Sequence, residues 1–106
     1  MEAHDYPLAH FNGMARLVEA LRALPAQLLE HQYSPESFGS WVVILKHKGR
    51  AAQVTFDGRE RHLGLRWSTD RKPPYSYGSE STIGEGAHFG KLDVAAIEAI
   101  CRAVIS

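Results

Sequence analysis

The residues best suited to chemistry in this 106-residue chain are six histidines, at positions 4, 10, 31, 47, 62 and 88. A zinc site needs imidazoles at defined spacing, such as positions i and i+4 on one helix face, with a further ligand nearby. None of the histidine pairs has this spacing. Glu85 and His88 are three residues apart, but they lie in a glycine-rich segment where helical spacing does not apply. The sequence therefore predicts no metal site and no cofactor, and it favours histidines at the surface or in hydrogen bonds.

The single cysteine and the glycine-rich segment also lack the surroundings of a catalytic site. Cys101 lies on an apolar stripe, and no basic residue shares that face to activate its thiol. Residues 84–90 place their third glycine one position away from the G-x-G-x-x-G pattern, and no βαβ unit surrounds them. We therefore predict a protein that is not an enzyme, with no catalytic residues and no nucleotide site.

Two tyrosines are the strongest candidates for binding a partner. Tyr75 and Tyr77 are two positions apart and follow Arg71-Lys72-Pro73-Pro74. Tyrosine offers a large contact area with few rotatable bonds, and tyrosine and arginine are enriched in binding hot spots. An alternative is that one tyrosine folds back onto the protein while the other is solvated. The predicted partner-binding residues are Tyr75, Tyr77, Arg71, Lys72, His62 and Arg66.

The formal net charge of zero hides an uneven distribution. Between Lys46 and Lys72 there are eight basic residues against three acidic ones, whereas residues 1–45 carry two basic and five acidic residues. This asymmetry favours an acidic protein partner. The same basic residues could instead be the solvated ends and protected edges of β-hairpins. Neutral overall charge and the interspersed acids argue against nucleic acid.

The elements that position these residues centre on residues 38–68, which predict three antiparallel strands at 40–47, 51–57 and 61–68. Lys48-Gly49 and Asp57-Gly58 are typical hairpin turns. The first turn pairs Leu45 with Ala52, and the second pairs Ala52 with Leu63. Alternation then gives one apolar face, made of Trp41, Val43, Leu45, Ala52, Val54, Phe56, Leu63, Leu65 and Trp67. The opposite face is mixed and contains Val42, Ile44, Lys46, Gln53, Thr55, His62, Gly64 and Arg66.

Helical patterns flank these strands. From Asn12, a candidate N-cap, the apolar residues Met14, Leu17, Val18, Leu21 and Leu24 recur at spacings of three and four. Pro25 should kink or end this helix, and residues 25–32 could form a second helical segment, so that a kinked helix and a helix pair are both open. The last helix begins at the N-cap Asp93 and buries Val94, Ile97, Ile100, Cys101, Val104 and Ile105.

The predicted fold class is α+β, with a kinked or paired N-terminal helix, a three- to four-stranded antiparallel meander, a long loop over residues 69–91 and a C-terminal helix. A two-layer sandwich buries the apolar stripes of both helices against one sheet face. We expect one domain over residues 1–106, with residues 1–10 loosely ordered and a short edge strand at either 81–83 or 87–89. No apolar run is long enough for a membrane span, and the first residues lack a signal-peptide pattern, so cytoplasm is the expected location.

Several short runs resemble small bacterial immunity-type proteins, which accompany polymorphic or contact-dependent toxins. They are Phe38-Gly39-Ser40-Trp41, Gly49, Phe56-Asp57-Gly58-Arg59-Glu60 and Leu63-Gly64-Leu65. The resemblance implies a small α+β protein that binds a toxin, and it supplies no binding residues. The order of elements is also similar to frataxin-like folds. Those carry an acidic ridge on the first helix for iron, whereas Arg16 and Arg22 accompany Glu19 here.

Our first hypothesis is a protein-binding module that neutralises a bacterial toxin. The alternative is a small ligand-binding or enzymatic domain that uses the polar sheet face and the 69–91 loop, with His62, Arg66, Glu85 and His88 as candidate groups. A further possibility is self-association through Val42 and Ile44. The expected state is a monomer or a weak homodimer.

Overall fold

The computed structural model describes residues 5–106 and contains two α-helices at the ends of the chain. Helix α1 spans Asp5–Arg22 and helix α2 spans Val94–Ile105. Two short 3₁₀ turns, Pro35–Ser37 and Ala87–Lys91, connect other elements. The α+β class is confirmed.

Five strands form a single antiparallel sheet between the helices. They are β1 (Ala26–Ser34), β2 (Ser40–His47), β3 (Arg50–Asp57), β4 (His62–Trp67) and β5 (Ser81–Glu85). Their order in the sheet is the order in the chain, so every strand pairs with its sequence neighbours. The meander is therefore one strand longer than the upper limit of the prediction.

The predicted register of the central hairpin is confirmed. Trp41 lies opposite Phe56, Val43 opposite Val54 and Leu45 opposite Ala52. Lys48 and Gly49 both have positive φ, at 53° and 80°, which is the geometry of a two-residue type I′ turn. Such a turn matches the twist of the two strands it joins.

The second hairpin has a longer turn than Asp57-Gly58 alone. Asp57 pairs with His62, and the side chain of Asp57 accepts hydrogen bonds from the backbone N–H groups of Arg59 and Glu60 at 3.0 and 3.1 Å. Ala52 consequently lies opposite Trp67 rather than Leu63. Because the shift is an even number of residues, the same side chains stay on the same face.

The core is a two-layer sandwich in which one sheet face packs against both helices. The apolar sheet face is buried as predicted, apart from the half-buried Trp67. Met14, Leu17 and Leu21 join it from α1, and Ala96, Ile97, Ile100 and Val104 join it from α2. Large aromatic and branched side chains thus fill one continuous interior.

The predicted helical segment at residues 25–32 is wrong, because these residues form strand β1. Pro25 ends the helical region, as a proline without a backbone N–H does. His47 donates to the carbonyl of Pro25 at 3.2 Å, and Ala26 pairs with His47. The chain therefore turns straight from α1 into the edge of the sheet.

Three expectations about helix ends also need correction. Helix α1 begins at Asp5, so Asn12 lies inside it rather than at its N-cap, and residues 5–10 are helical rather than loosely ordered. Residues 1–4 lie outside the described part of the chain. In α2 the N-cap is confirmed, since Asp93 accepts from the N–H of Ala96 at 2.9 Å. However, Val94 and Ile105 are exposed rather than buried.

The long segment after β4 is only partly a loop. Residues 81–85 form β5, which pairs with β4 and extends the short strand suggested at 81–83. The alternative strand at 87–89 is wrong, because residues 87–91 form a 3₁₀ turn that places Phe89 and Gly90 in the interior. The irregular part is therefore residues 68–80.

Candidate functional site

The sheet face that turns away from both helices is the first candidate surface. We call it the open face, because no helix in the described part of the chain covers it. Register assigns its residues from four strands: Glu30, Gln32, Val42, Ile44, Lys46, Gln53, Thr55, His62, Gly64 and Arg66. It combines two aliphatic side chains with amides, hydroxyls and both signs of charge.

A loop at residues 69–78, named here the tyrosine loop, returns along one end of the open face. Its two ends are tied by backbone hydrogen bonds, from Thr69 N–H to Ser76 O at 2.8 Å and from Gly78 N–H to Trp67 O at 3.0 Å. Asp70 also accepts from the N–H of Ser76 at 2.8 Å. Ser68 pairs with Tyr77 beside this loop. The loop is thus held by local bonds at its base.

The structure brings the two predicted tyrosines together in this loop. The ring centroids of Tyr75 and Tyr77 are 6.3 Å apart, and both residues are half-buried. Because Ser68 belongs to the open face by alternation, its partner Tyr77 faces the same way. Burial, the neighbouring Tyr75 and the carboxylate of Glu30 on β1 raise the pKa of Tyr77.

The hydroxyl oxygen of Tyr77 is buried and has no hydrogen-bond partner among the described residues. A buried hydroxyl without a partner costs free energy, on the order of 1–3 kcal/mol. Contact with a group that can accept or donate a hydrogen bond would recover part of that cost. The tyrosine pair therefore offers a partner both an apolar surface and a hydroxyl that can form a hydrogen bond.

The other four predicted binding residues are distributed around the same surface. His62 Nε2 lies 3.2 Å from Glu80 Oε1, and the Glu80 side chain lies directly over Gly64 on the open face. Arg66 on β4 is exposed, as are Arg71 and Lys72 in the tyrosine loop. The alternative group of four is only partly assembled. Glu85 lies opposite His62 in the pairing of β4 with β5, whereas His88 bonds to Asp93 at 2.8 Å at the start of α2.

Most basic residues of the sheet have no carboxylate partner. Among the described residues, three contacts bring a basic side chain within 4.0 Å of a carboxylate: the ion pair Arg22–Glu19 and the histidine–carboxylate contacts His62–Glu80 and His88–Asp93. None of the eight lysines and arginines between positions 46 and 72 takes part in one. The positive charge that the sequence concentrates in this segment is therefore available to an external anion or an acidic surface.

A cleft of about 530 Å³ lies next to the tyrosine loop, at the end of the sheet where the β2–β3 turn meets it. Arg50 and Arg71 line it together with Trp67, Ser68, Asp70 and Ser79. The Arg50 guanidinium lies over the Trp67 ring, 4.9 Å from the ring centroid. Of the predicted binding residues, only Arg71 borders this cleft.

Sequence reasoning missed a buried histidine pair on the helix side of the sheet. His10 on α1 is completely buried, and its Nε2 lies 2.8 Å from Nε2 of His31 on β1. The ring of His10 stacks on Tyr33 with a centroid separation of 4.4 Å and lies 5.7 Å from the Trp41 ring. The buried ring of His10 and the half-buried ring of His31 thus belong to an aromatic cluster.

The hydrogen bonds of this pair define which nitrogens carry protons. Nδ1 of His10 lies 3.2 Å from the carbonyl of Gly90, which can only accept, so Nδ1 is the donor. In a neutral ring Nε2 then presents its lone pair, and His31 Nε2–H donates to it. Burial lowers the pKa of His10 to about 4, although the bond to Gly90 acts in the opposite direction, and burial also lowers the pKa of His31. The arrangement therefore suits two neutral imidazoles.

The remaining candidate groups have local structural roles. His47, His62 and His88 each make one hydrogen bond described above. Burial raises the pKa of the Cys101 thiol, which keeps it protonated at neutral pH. The described residues hold no group of three or more His, Cys, Asp or Glu side chains placed to bind a metal. Within that same part of the chain, neither helix is long and apolar enough to cross a bilayer.

Comparison of the chain with protein-family models, with curated proteins and with solved structures finds no match in any of the three. Functional inference therefore depends on the geometry of the open face, the tyrosine loop and the cleft.

Proposed function

We propose that this chain is a non-enzymatic protein-binding module of the inhibitor or immunity type, which neutralises a bacterial toxin by covering an acidic surface on it. The binding surface is the open face together with the tyrosine loop. One observation carries the proposal. Tyr75 and Tyr77 lie beside a sheet face whose neighbouring lysines and arginines have no carboxylate partner in the described residues.

The tyrosine pair supplies the anchors that such an interface needs. Hot spots cluster around aromatic and arginine side chains that become desolvated on binding. Tyr75 and Tyr77 are already half-buried and their loop is tied at both ends, so little conformational entropy remains to be lost. A partner group near the Tyr77 hydroxyl would also provide its missing hydrogen bond.

The open face supplies a rigid platform for the rest of the contact. Its strands are paired throughout the sheet, and their inner side chains are fixed in the core. Lys46 and Arg66 project from this platform, and Arg71 and Lys72 project from the loop. Complementary charge of this kind speeds association and selects an acidic partner over a basic one. A cytoplasmic location and a monomeric or weakly dimeric state belong to the same proposal.

The direct test uses the protein encoded beside this one as the partner, with binding measured by calorimetry and neutralisation measured by rescue of bacterial growth. The variant Tyr75→Ala/Tyr77→Ala/Arg71→Ala should weaken binding by at least about a hundredfold, because it removes two aromatic anchors and a charge. It should also abolish growth rescue.

A matched control is Phe38→Ala/Arg59→Ala. It removes an aromatic and a basic side chain from the opposite end of the sheet, where Phe38 is 68% exposed. This control should bind like the wild-type protein. Full retention of binding by the triple variant, with circular dichroism showing both proteins folded, would exclude the tyrosine loop as the interface.

A further inference from the structure

We propose that the cleft between Arg50 and Arg71 is a binding site for a small oxyanion of the phosphate or phosphate-ester type. The site shares Arg71 with the protein-binding surface proposed above, and it can be tested without any protein partner.

Backbone geometry brings the two arginines to the same cleft from distant positions in the chain. Arg50 opens strand β3 directly after the Lys48-Gly49 turn, and Arg71 belongs to the tyrosine loop. A side chain at Gly49 would lie 3.4 Å from the Arg71 guanidinium, so that this group rests against the turn. Both guanidinium groups therefore border a concave space of about 530 Å³.

Both arginines retain most of their hydrogen-bonding capacity. A guanidinium has five N–H donors in a planar fork that matches two oxygens of a phosphate or carboxylate. Arg50 uses one donor, in a long bond of 3.4 Å to the carbonyl of Ser68. Neither arginine lies within 4.0 Å of a carboxylate in the described part of the chain. Two forks without acidic partners at one cleft are suited to a multidentate anion.

The walls of the cleft favour one orientation of the ligand. Trp67 carries the Arg50 guanidinium on its ring face, which restrains that side chain in place. The nearest acid, Asp70, accepts a hydrogen bond from the backbone of Ser76 through Oδ2. With Asp70 included, the cleft has a net charge of about +1. Because the Asp70 carboxylate repels an anion, the anion has to contact both arginines to offset that repulsion. A tetrahedral dianion can do so, whereas a single carboxylate engages one fork.

The test is a titration of the whole chain with inorganic phosphate at constant ionic strength, followed by ¹H–¹⁵N nuclear magnetic resonance. We expect saturable shifts at the amides of Trp67, Thr69 and Ser79, and weaker or no saturation with acetate. Arg50→Gln and Arg71→Gln should each weaken phosphate binding by at least about tenfold, since each removes one charge-assisted contact.

The matched control is Arg59→Gln, which makes the same charge change in the turn at the other end of the sheet. It should leave phosphate binding unchanged. If Arg50→Gln unfolds the protein, the loop variant Arg71→Gln still decides the result, because that side chain is exposed. The proposal would be wrong if the shifts did not saturate, or if Arg50→Gln, Arg71→Gln and Arg59→Gln weakened phosphate binding equally. Either result would indicate non-specific association of the ion.

Discussion

At the scale of single residues, the histidine pair is the least predictable feature of the chain. His10 and His31 are 21 positions apart, and nothing in their spacing links them. Once residues 26–34 are known to form a strand, alternation places His31 and Tyr33 on the same face as Val43 and Trp41. The pair could therefore have been predicted from alternation along β1, but only once residues 26–34 had been recognised as a strand.

Burial of His10 predicts a loss of stability in mild acid. Its pKa is lowered from an ordinary 6.5 to about 4, so the unfolded chain binds the proton more readily than the native protein does. The stabilisation is complete above pH 6.5 and is lost as the pH falls towards 4. We expect the free energy of unfolding to decrease by about 2–3 kcal/mol over this range from His10 alone. Urea denaturation at several pH values measures it.

Two variants separate this effect from a general weakening of the fold. His10→Gln should flatten the dependence of stability on pH between 6.5 and 4. Met14→Ala destabilises the same helix–sheet interface without removing a titratable group, and it should keep the wild-type pH dependence. An unchanged pH dependence in His10→Gln would contradict the role assigned to this ring.

At the scale of elements, the hydrophobic patterns of the central strands and of α2 predicted these elements correctly. The pattern of β1 predicted a helix where the structure has a strand. Leu28 and His31 point to the interior, but a bulge at Leu29 inserts an extra residue between them. The inward residues of β1 are therefore spaced by two, three and two, and Leu24, Leu28 and His31 imitate the spacing of a helix. A bulge breaks the period of two on which strand prediction depends.

Helix α1 approaches the turn before α2 so closely that Gly13 has no room for a side chain. A Cβ atom at Gly13 would collide with the backbone carbonyl of Leu92 and lie 2.8 Å from that of Lys91. Alanine normally stabilises a helix interior by about 1 kcal/mol relative to glycine. Here the collision involves backbone atoms that cannot rotate away, so Gly13→Ala should lower the free energy of unfolding by about 1–3 kcal/mol.

Chemical denaturation of Gly13→Ala beside Asn12→Ala checks this expectation. Asn12 is the neighbouring exposed position of the same helix, and alanine there should leave stability unchanged or raise it slightly. A higher denaturation midpoint for Gly13→Ala would mean that α1 does not pack against the turn before α2 as closely as described.

At the scale of the whole molecule, the two faces of the sheet differ in burial and in charge. One face is buried beneath both helices and holds Trp41, Phe56 and the branched side chains that stabilise the fold. The other face, the tyrosine loop and the arginine cleft carry exposed charge. Sequence alternation predicted this division, because a period of two assigns every strand residue to a side. It could not predict that Tyr77 of the tyrosine loop lies on the same side as the open face, since no periodicity governs that segment.

The order of the strands also has a consequence for how the chain folds. Each strand pairs with its immediate predecessor, so the sheet can grow hairpin by hairpin with little entropy of loop closure. The contact between His10 and Gly90 joins residues 80 positions apart, so we expect it to form later than the hairpins. Truncations in α1, such as Met14→Ala, should therefore accelerate unfolding and barely slow refolding in stopped-flow experiments. Equal effects on the folding and unfolding rates would mean that α1 has partly docked in the transition state. The first helix would then take part in forming the sheet rather than pack against a sheet already formed.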